Sequence, residues 1–230
     1  MNGHSAHHVV VEVTGDESVV EKTTATANVQ SDSPVKRRIE AVALERFAAQ
    51  GYRGTSVKDI MVACGLTPGA MYNHFTSKDE LLFSILARFG NQLTALIRTA
   101  EAAADPDDPA DRLFKLIETM ARFALLNPQA TKVANIDYVE LSEDYLRREI
   151  EFRRANRRRI ENIIEAGIAN DQFAVPDYDG ANEVKLVATA MANVAIRLSE
   201  IAGPHPGNDI DGLARFHAQL ALHMVTRTSG

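Results

Sequence analysis

Three helix-start signatures follow one another closely between residues 33 and 80. Each places a serine before a first turn that contains proline or an acidic residue, in Ser33-Pro34, Ser56-Val57-Lys58-Asp59 and Ser77-Lys78-Asp79-Glu80. Because the serine hydroxyl accepts a hydrogen bond from an unpaired N–H of the first turn, each signature predicts where a helix begins. The spacing therefore predicts a compact helical unit over residues 34–82.

The apolar residues of this unit repeat at helical spacing. Ile39 and Phe47 lie on one face of the first helix, and Gly51 stands where a C-terminal glycine is expected. A second helix ends at a glycine turn, a third short helix follows, and a fourth begins at Lys78. Residues 56–75 are thus predicted to form a helix, a turn and a short helix, which is a helix-turn-helix layout.

Beyond residue 105 the sequence is helical in pattern. Periodicity and the Pro and Gly breaks predict helices over residues 110–126, 129–141, 143–170, 181–202 and 209–226. Residues 1–33 are rich in Ser, Thr, Gly and Asp and lack a helical period, so we expect a disordered tail there. The sequence therefore predicts an all-α protein, with a three-helix head at 34–82 and a larger helical body at 83–230.

Composition excludes several classes of protein. Cys64 is the only cysteine, so neither an intramolecular disulfide nor a cysteine-based zinc site can form, and we expect a cytoplasmic location. Neither an 18-residue apolar run nor a signal-peptide pattern occurs, so no membrane association is expected. His205, His217 and His223 are too scattered to predict a metal site. No cofactor is expected.

Charge is distributed unevenly along the chain. The net charge is −6, yet residues 34–90 carry 8 basic and 5 acidic side chains and are positive by 3. The flanking segments are negative, by 4 in residues 1–33 and by 5 in residues 91–230. A positive helical unit in an acidic chain points to nucleic acid as its partner.

The stretch TPGAMYNHF, residues 67–75, is an unusual helix sequence because it opens with Pro and Gly and continues with Tyr, Asn and His. Small residues in a first turn let a helix approach base edges and phosphates closely. The residues expected to contact DNA here are Thr67, Pro68, Gly69, Tyr72, Asn73 and His74. Tyr72 and His74 suit phosphate oxygens, whereas Asn73 suits an adenine edge or the backbone. Phe75 is expected in the core.

Basic residues outside this stretch extend the same expected surface. Lys36 lies in the first turn of the first helix and Lys78 in that of the fourth, which places both for phosphates. Neither His74 nor Lys78 has an obvious partner nearby in sequence, and this favours DNA contact over packing. For Tyr72 a half-buried position in the head is the alternative.

The run from Ile39 to Leu82 resembles the DNA-binding domain of the TetR family of transcriptional repressors. The resemblance rests on F-x-x-x-G-Y at 47–52, G-T-S-V-x-D-I at 54–60 and G-L-T-x-G-x-M-Y-x-H-F-x-S-K-x-E-L at 65–81. It implies a homodimer on a palindromic double-stranded DNA operator, controlled by a small molecule bound in the body.

The resemblance also implies which residues contact phosphates or bases, namely Thr55, Ser56, Thr67, Gly69, Tyr72, His74 and Lys78. For Thr55 and Ser56 a role as helix caps is the alternative. Pro68 departs from the family pattern, which often has Lys or Arg at this position. One common polar contact is therefore missing, which affects the operator sequence rather than DNA binding.

Polar residues within the apolar body helices are candidates for a ligand site. Asn135 and Tyr138 follow an apolar segment and are expected to project into a cavity, with Thr119 and Phe123 on the opposite wall. Ordinary core packing is the alternative for each of them.

The almost wholly apolar stretch 186–198 is expected to meet both the body and a dimer partner. Thr189, Asn193 and Arg197 are spaced four apart along one stripe of it. They either line the mouth of a pocket or form a polar seam across a dimer, and the seam is slightly favoured.

Seven arginines lie between residues 147 and 159, interleaved with glutamates. A solvated helix with i, i+4 ion pairs is the first interpretation, and a site for an anionic ligand group is the second. The stretch 138–173 also looks like the body of TetR-like regulators of lipid breakdown, through I-E-A-G-I-x-x-x-x-F. This weak similarity implies an acyl-CoA effector.

An enzyme acting on an acyl or phosphate substrate is a competing hypothesis. The sequence contains no G-x-S-x-G, no P-loop and no H-E-x-x-H motif, so a non-enzymatic role is expected. A helical binding module that no longer binds DNA is a third possibility, and the capped, basic head argues against it.

Overall fold

The computed structural model describes residues 33–177, 183–202 and 209–226, so the predicted tail lies outside them except for Ser33. The head is built from α1 (Pro34–Gly54), α2 (Val57–Ala63), a 3₁₀ helix (Pro68–Asn73) and the start of α3 (Lys78–Ala103). Gly51, with φ of 76°, interrupts the helical geometry of α1 where the sequence predicted its end.

The three predicted helix starts are confirmed by side-chain caps. In each, the serine Oγ accepts from the backbone N–H three residues on, at Lys36 (3.1 Å), Asp59 (3.1 Å) and Glu80 (2.9 Å). Asp59 Oδ2 accepts in return from Ser56 N at 3.2 Å, which completes a capping box. At Ser77 the return hydrogen bond is missing, because Glu80 instead accepts from Thr76 N at 2.6 Å.

The TPGAMYN segment forms a 3₁₀ helix rather than the α-helix that its surroundings suggested. Thr67 occupies the N-cap position, but its side chain makes no capping hydrogen bond. Pro68 lacks an N–H and Gly69 is a poor α-helix former, which explains the tighter, shorter turn. The Thr67 side chain does not stabilise the segment by a capping hydrogen bond.

The body continues through α4 (Pro109–Leu126), α5 (Pro128–Ile136), a 3₁₀ turn (Asp137–Glu140), α6 (Glu143–Ala169), α7 (Glu183–Ala202) and α8 (Ile210–His223). The single helix predicted over 129–141 is wrong, because α5 ends at Ile136 and a 3₁₀ turn follows. The bounds of the other body helices agree with prediction within three residues.

Two apolar cores organise the described residues. The head core contains Phe47, Met71 and Phe75, as expected for Phe75, and also Val133 of α5 and Leu141. The body core lies among α3, α4, α6, α7 and α8. Since α3 crosses residue 82 without a break and α5 reaches the head core, head and body are joined by shared helices.

Within the described ranges, none of the helices is long and apolar enough to span a membrane.

Candidate functional site

The 67–73 segment lies on the surface of the head. Met71 is fully buried beneath it, whereas Tyr72 is 64% exposed. The other exposed members of the segment are Thr67, Pro68, Gly69 and Asn73. Tyr72 therefore does not take the half-buried position that was its alternative.

Gly69 is a glycine that the fold does not require. A Cβ added at this position meets no atom within 4 Å, and the φ of Gly69 is outside the left-handed region. An alanine would fit the isolated protein equally well. The missing side chain keeps this surface low, which matters only for a partner that approaches closely.

His74 and Lys36 flank this surface. In the part of the chain that the structure describes, the His74 imidazole makes neither a hydrogen bond nor an ion pair, and its backbone N–H donates to Met71 O at 2.8 Å. The Lys36 ammonium lies 5.2 Å from the centroid of the Phe75 ring at the edge of the head. Both side chains can donate to an external acceptor without breaking an internal bond.

Lys78 has internal partners, contrary to the expectation from sequence. Its Nζ donates to Tyr52 O at 2.9 Å and to Thr55 O at 3.0 Å, and it lies 4.0 Å from the centroid of the Tyr52 ring. Burial lowers the pKa of Lys78, while Glu140 and Asp137 act in the opposite direction. Lys78 thus holds the end of α1 against the start of α3.

Thr55 and Ser56 also have structural roles. Thr55 is 1% exposed and its Oγ1 donates to Gly51 O at 2.9 Å, so its side chain is closed to DNA in this conformation. Ser56 is exposed and caps α2. The alternative interpretation of both residues as caps and turn-formers describes their geometry.

The body contains a cavity of about 270 Å³ bordered by helices α3 to α7. Its apolar wall consists of Leu86, Phe89, Leu93, Met120, Phe123, Ala124 and Phe152. The Phe89 and Phe123 rings are 4.7 Å apart. Phe152 packs on the backbone of Gly90, where an added Cβ would lie 2.9 Å from Phe152 Cζ. The volume is near the lower end of small-molecule sites, which span roughly 300–1,000 Å³.

One end of the cavity is polar and is organised by Arg153. Its Nε donates to Glu149 Oε1 at 2.8 Å, its Nη2 donates to Ala134 O at 2.5 Å, and its guanidinium lies 4.1 Å from the centroid of the Tyr138 ring. Glu149 is 6% exposed, and burial raises its pKa against the opposing effect of Arg153. This buried ion pair gives the cavity a charged wall.

Asn135 brings an unused donor to the same wall. Asn135 lines the cavity, and its Nδ2 is buried with no hydrogen-bond partner among the described residues. A buried donor without an acceptor destabilises a protein by about 1–3 kcal/mol. Such a group is tolerated where a ligand supplies the acceptor.

The structure brings together four of the six predicted ligand residues: Phe123, Asn135, Tyr138 and Asn193 all border the cavity. Thr119 does not, and its Oγ1 donates to Lys115 O at 2.7 Å. Arg197 also lies outside the lining. Of the stripe on α7, Thr189 and Asn193 lie at the cavity, which fits the pocket-mouth alternative for these two residues.

Other lining residues were missed in the sequence, chiefly Phe89, Glu149, Phe152, Arg153 and Asn156. Four of them lie in the arginine-rich run, whose predicted i, i+4 pairs are confirmed for Arg153 with Glu149 and Arg157 with Glu161. The helical spacing of positions 149, 152, 153, 156 and 157 was the available signal, but the charge pattern concealed it.

Helices α7 and α8 carry an exposed apolar stripe. It comprises Leu186 and Val194 of α7 with Phe216 and Leu220 of α8, and Phe216 is 66% exposed. Exposed apolar side chains of this size are candidates for contact with another protein chain.

The described residues contain no group of three or more His, Cys, Asp or Glu side chains placed to hold a metal ion. Cys64 is buried, and burial raises the pKa of its thiol, which disfavours the reactive thiolate.

Two protein families match this chain. Residues 39–85 match the bacterial regulatory proteins of the tetR family, and residues 106–225 match the tetracyclin repressor-like C-terminal domain. The first match covers the head and the second covers most of the body.

Curated relatives agree with these matches. The transcriptional repressor KstR2 of Mycolicibacterium smegmatis is 29% identical over 211 residues, covering 86% of this chain and 94% of KstR2. The transcriptional regulator UidR of Escherichia coli K12 is 36% identical over 75 residues, covering 32% of this chain. The matched part spans only 37% of UidR.

Solved structures show the same fold. A tetR-family regulatory protein from Rhodococcus RHA1 has a TM-score of 0.76 at 28% identity, covering 86% of this chain and all of that one. AibR, solved with isovaleryl coenzyme A and operator DNA, has a TM-score of 0.70 at 14% identity, covering 81% and 97%, and is similar in fold alone. Because the C-terminal match alone spans more than half of its residues, the chain belongs to the TetR family of transcriptional regulators.

Proposed function

We propose that this regulator is a homodimeric repressor that binds a palindromic operator and releases it when a small effector enters the body cavity. The observation that carries the proposal is the head surface at 67–74, where the exposed Thr67, Tyr72 and Asn73 side chains and the half-buried His74 imidazole make no hydrogen bond with the described residues. We assign DNA contact to Thr67, Pro68, Gly69, Tyr72, Asn73 and His74, with Lys36 at the edge.

The roles of these residues differ. Tyr72 and His74 are placed to donate to phosphates, and Asn73 is the side chain best suited to a base edge. Lys78, Thr55 and Ser56 position the backbone of the head, and any phosphate contact they make is additional to that role.

Dimerisation is assigned to the apolar stripe of α7 and α8. A two-fold axis at this surface presents two heads to successive major grooves, about 34–36 Å apart. A palindromic operator then follows from the symmetry of the protein.

For the effector we propose an apolar molecule with one polar group, an acyl-CoA being the specific candidate. The aromatic wall of the cavity suits an acyl chain, and Asn135, Tyr138 and Arg153 suit its polar end. About 270 Å³ does not hold a whole acyl-CoA, so the nucleotide part has to remain outside. AibR, which shares the fold, was solved with such a ligand.

Selection of bound sequences from a random duplex library tests the DNA-binding proposal. The wild-type protein should enrich a palindrome at physiological salt. Gly69→Leu adds a side chain at an exposed position where a Cβ meets no atom within 4 Å, so this variant should stay folded and lose the selected duplex. Ala155→Leu, the same addition at an exposed position of α6, is the matched control and should bind normally. Full binding by Gly69→Leu would refute the assigned surface.

Octanoyl-CoA tests the effector class on the selected duplex. We expect it to release the protein, whereas free coenzyme A should not, because only the acyl chain fills the apolar wall. Retention of the duplex at saturating octanoyl-CoA would rule out a medium-chain acyl-CoA as the releasing effector.

A further inference from the structure

Residues 134–140, here called the coupling segment, touch the cavity on one side. Ala134, Asn135 and Tyr138 all line it, and Ala134 O accepts from Arg153 Nη2. The segment contains the change from α5 to the 3₁₀ turn, between Ile136 and Asp137. A change of helix type inside a continuous chain is a place where a displacement is absorbed at low cost.

The same seven residues hold the head on the other side. Asp137 Oδ1 accepts from Tyr52 N at 3.3 Å, and Glu140 Oε2 accepts from Arg53 Nε at 2.8 Å. Both partners follow Gly51, the break in α1, and precede the cap of α2. The coupling segment is therefore hydrogen-bonded to the connection between α1 and α2, which sets the position of α2 relative to α1.

Between these two sets of contacts lies the unpaired Nδ2 of Asn135. The other polar contacts of the segment, at Ala134, Asp137 and Glu140, have partners in the protein. A hydrogen-bond acceptor that enters through the cavity can pair with Asn135 without breaking any of these contacts. A carbonyl or carboxylate oxygen on an apolar body has this chemistry.

We propose that Asn135 donates to a carbonyl or carboxylate oxygen of the effector. This contact shifts the coupling segment and weakens its hydrogen bonds to Tyr52 and Arg53. This inference rests on the proposed function, because it assigns the effector chemistry and the route from the same cavity to the head. The effector favours the released state only by the additional contact that it makes there.

Thermal unfolding of the ligand-free protein is the first test. Asn135→Leu keeps the size of the side chain and removes the unpaired donor, so Tm should rise by about 2–4 °C. Asn127→Leu is the matched control, because Asn127 Nδ2 donates to Phe123 O at 2.8 Å and its loss should lower Tm. A lower Tm for Asn135→Leu would mean that Asn135 is already paired, and would overturn the proposal.

Calorimetric titration with three probes is the second test: sodium octanoate, 4-phenylbutyrate and octanoyl-CoA. Each carries a carbonyl or carboxylate on an apolar body. The wild-type protein should bind at least one, and Asn135→Leu should bind it at least tenfold more weakly. Equal binding by the variant, or no binding of any probe by the wild type, would overturn the assigned chemistry.

Hydrogen exchange of residues 46–55 tests the route. The bound probe should accelerate exchange there in the wild type, including the Tyr52 amide. In Asp137→Ala this exchange should already be fast, and the probe should still bind yet leave it unchanged. If Asp137→Ala does not fold, Glu140→Ala removes the more exposed contact and should reduce the response. A full probe response in Glu140→Ala and Asp137→Ala would exclude the segment as the route.

None of these three measurements uses DNA. A protein that fails to select an operator but passes them would disprove the proposed function and leave the cavity and its coupling intact. A protein that selects an operator and fails them would keep its function and lose this mechanism.

Discussion

The head and the body treat their buried polar groups differently. In the head, Glu40 is 4% exposed, and its carboxylate accepts from Ser84 Oγ at 2.5 Å and from Arg88 Nε at 2.7 Å. In the body, Asn135 Nδ2 is buried with no acceptor among the described residues, and Asn135 lies beside an open cavity. The head is a satisfied, close-packed platform whose function lies on its surface, whereas the function assigned to the body lies in its incomplete interior.

The difference fits the two tasks. Reading DNA requires side chains held within a fraction of an ångström, which a filled core provides. Responding to an effector requires two arrangements of similar energy, and unfilled space with an unpaired donor keeps the empty state from being too stable. Mutations that probe packing, polar contacts and charge should therefore give different results in the two regions.

The largest expected difference is in packing. Phe75→Ala in the head should lower the free energy of unfolding by about 3–5 kcal/mol, because the surrounding core cannot collapse. Phe123 borders space that is already empty, so Phe123→Ala should lower the free energy of unfolding by less, about 1.5–3 kcal/mol. Urea unfolding followed by circular dichroism measures both, since the chain lacks Trp. Equal losses would erase the contrast between the two interiors.

Lys78→Met separates a structural lysine from a DNA-contacting one. The variant leaves Tyr52 O and Thr55 O without their charged donor, so the free energy of unfolding should fall by about 1.5–3 kcal/mol. Lys58→Met, on the exposed face of α2, is the control and should change it by less than about 0.5 kcal/mol. Urea unfolding measures the stability of both variants. An unchanged stability for Lys78→Met would contradict the structural role of Lys78 and favour its role in phosphate contact.

Lys78 also shows why the sequence predicted the helix starts of the head but not its long-range contacts. Caps and turns are encoded by residues three or four apart, so the starts of α1, α2 and α3 were predictable. The partners of Lys78 lie 23 and 26 residues away, and no local pattern reveals them. The 3₁₀ form of 68–73 depends on Pro and Gly letting the segment tighten over Met71.

In the body the helices were predictable but their meeting faces were not. The charged run on α6 indicated solvent, yet Glu149 is buried, and its partner Arg153 donates to Ala134 O of α5. The cavity exists only where five helices leave a gap, and that depends on tertiary packing. Asn135 and Tyr138 were found because polar residues after an apolar segment stand out locally.

Lowering the pH should destabilise the protein through His217, a buried histidine of the body. Burial lowers its pKa below the ordinary 6.5, while its hydrogen bond to the Met191 backbone raises it less. The unfolded chain therefore takes up a proton first, and stability falls as the pH drops below about 6.5, by up to about 1.4 kcal/mol per pH unit.

The control for this effect is His217→Gln, measured by urea unfolding between pH 7.5 and 5.5. Glu149 has the opposite sign, since its raised pKa makes its contribution greatest at low pH and lost as pH rises through that pKa. The difference between wild type and His217→Gln cancels Glu149 and should isolate the histidine. Identical pH profiles would show that His217 is not the titrating group.

His74→Ala should produce the smallest change in stability and the clearest change in DNA binding. Because the imidazole has no partner among the described residues, the free energy of unfolding should move by less than about 0.5 kcal/mol. A lost phosphate contact should weaken binding to all duplexes alike and reduce the slope of log K against log salt by up to about one. If the slope is normal and the head is less stable, His74 has a structural role in the head, as Lys78 does, and does not contact DNA.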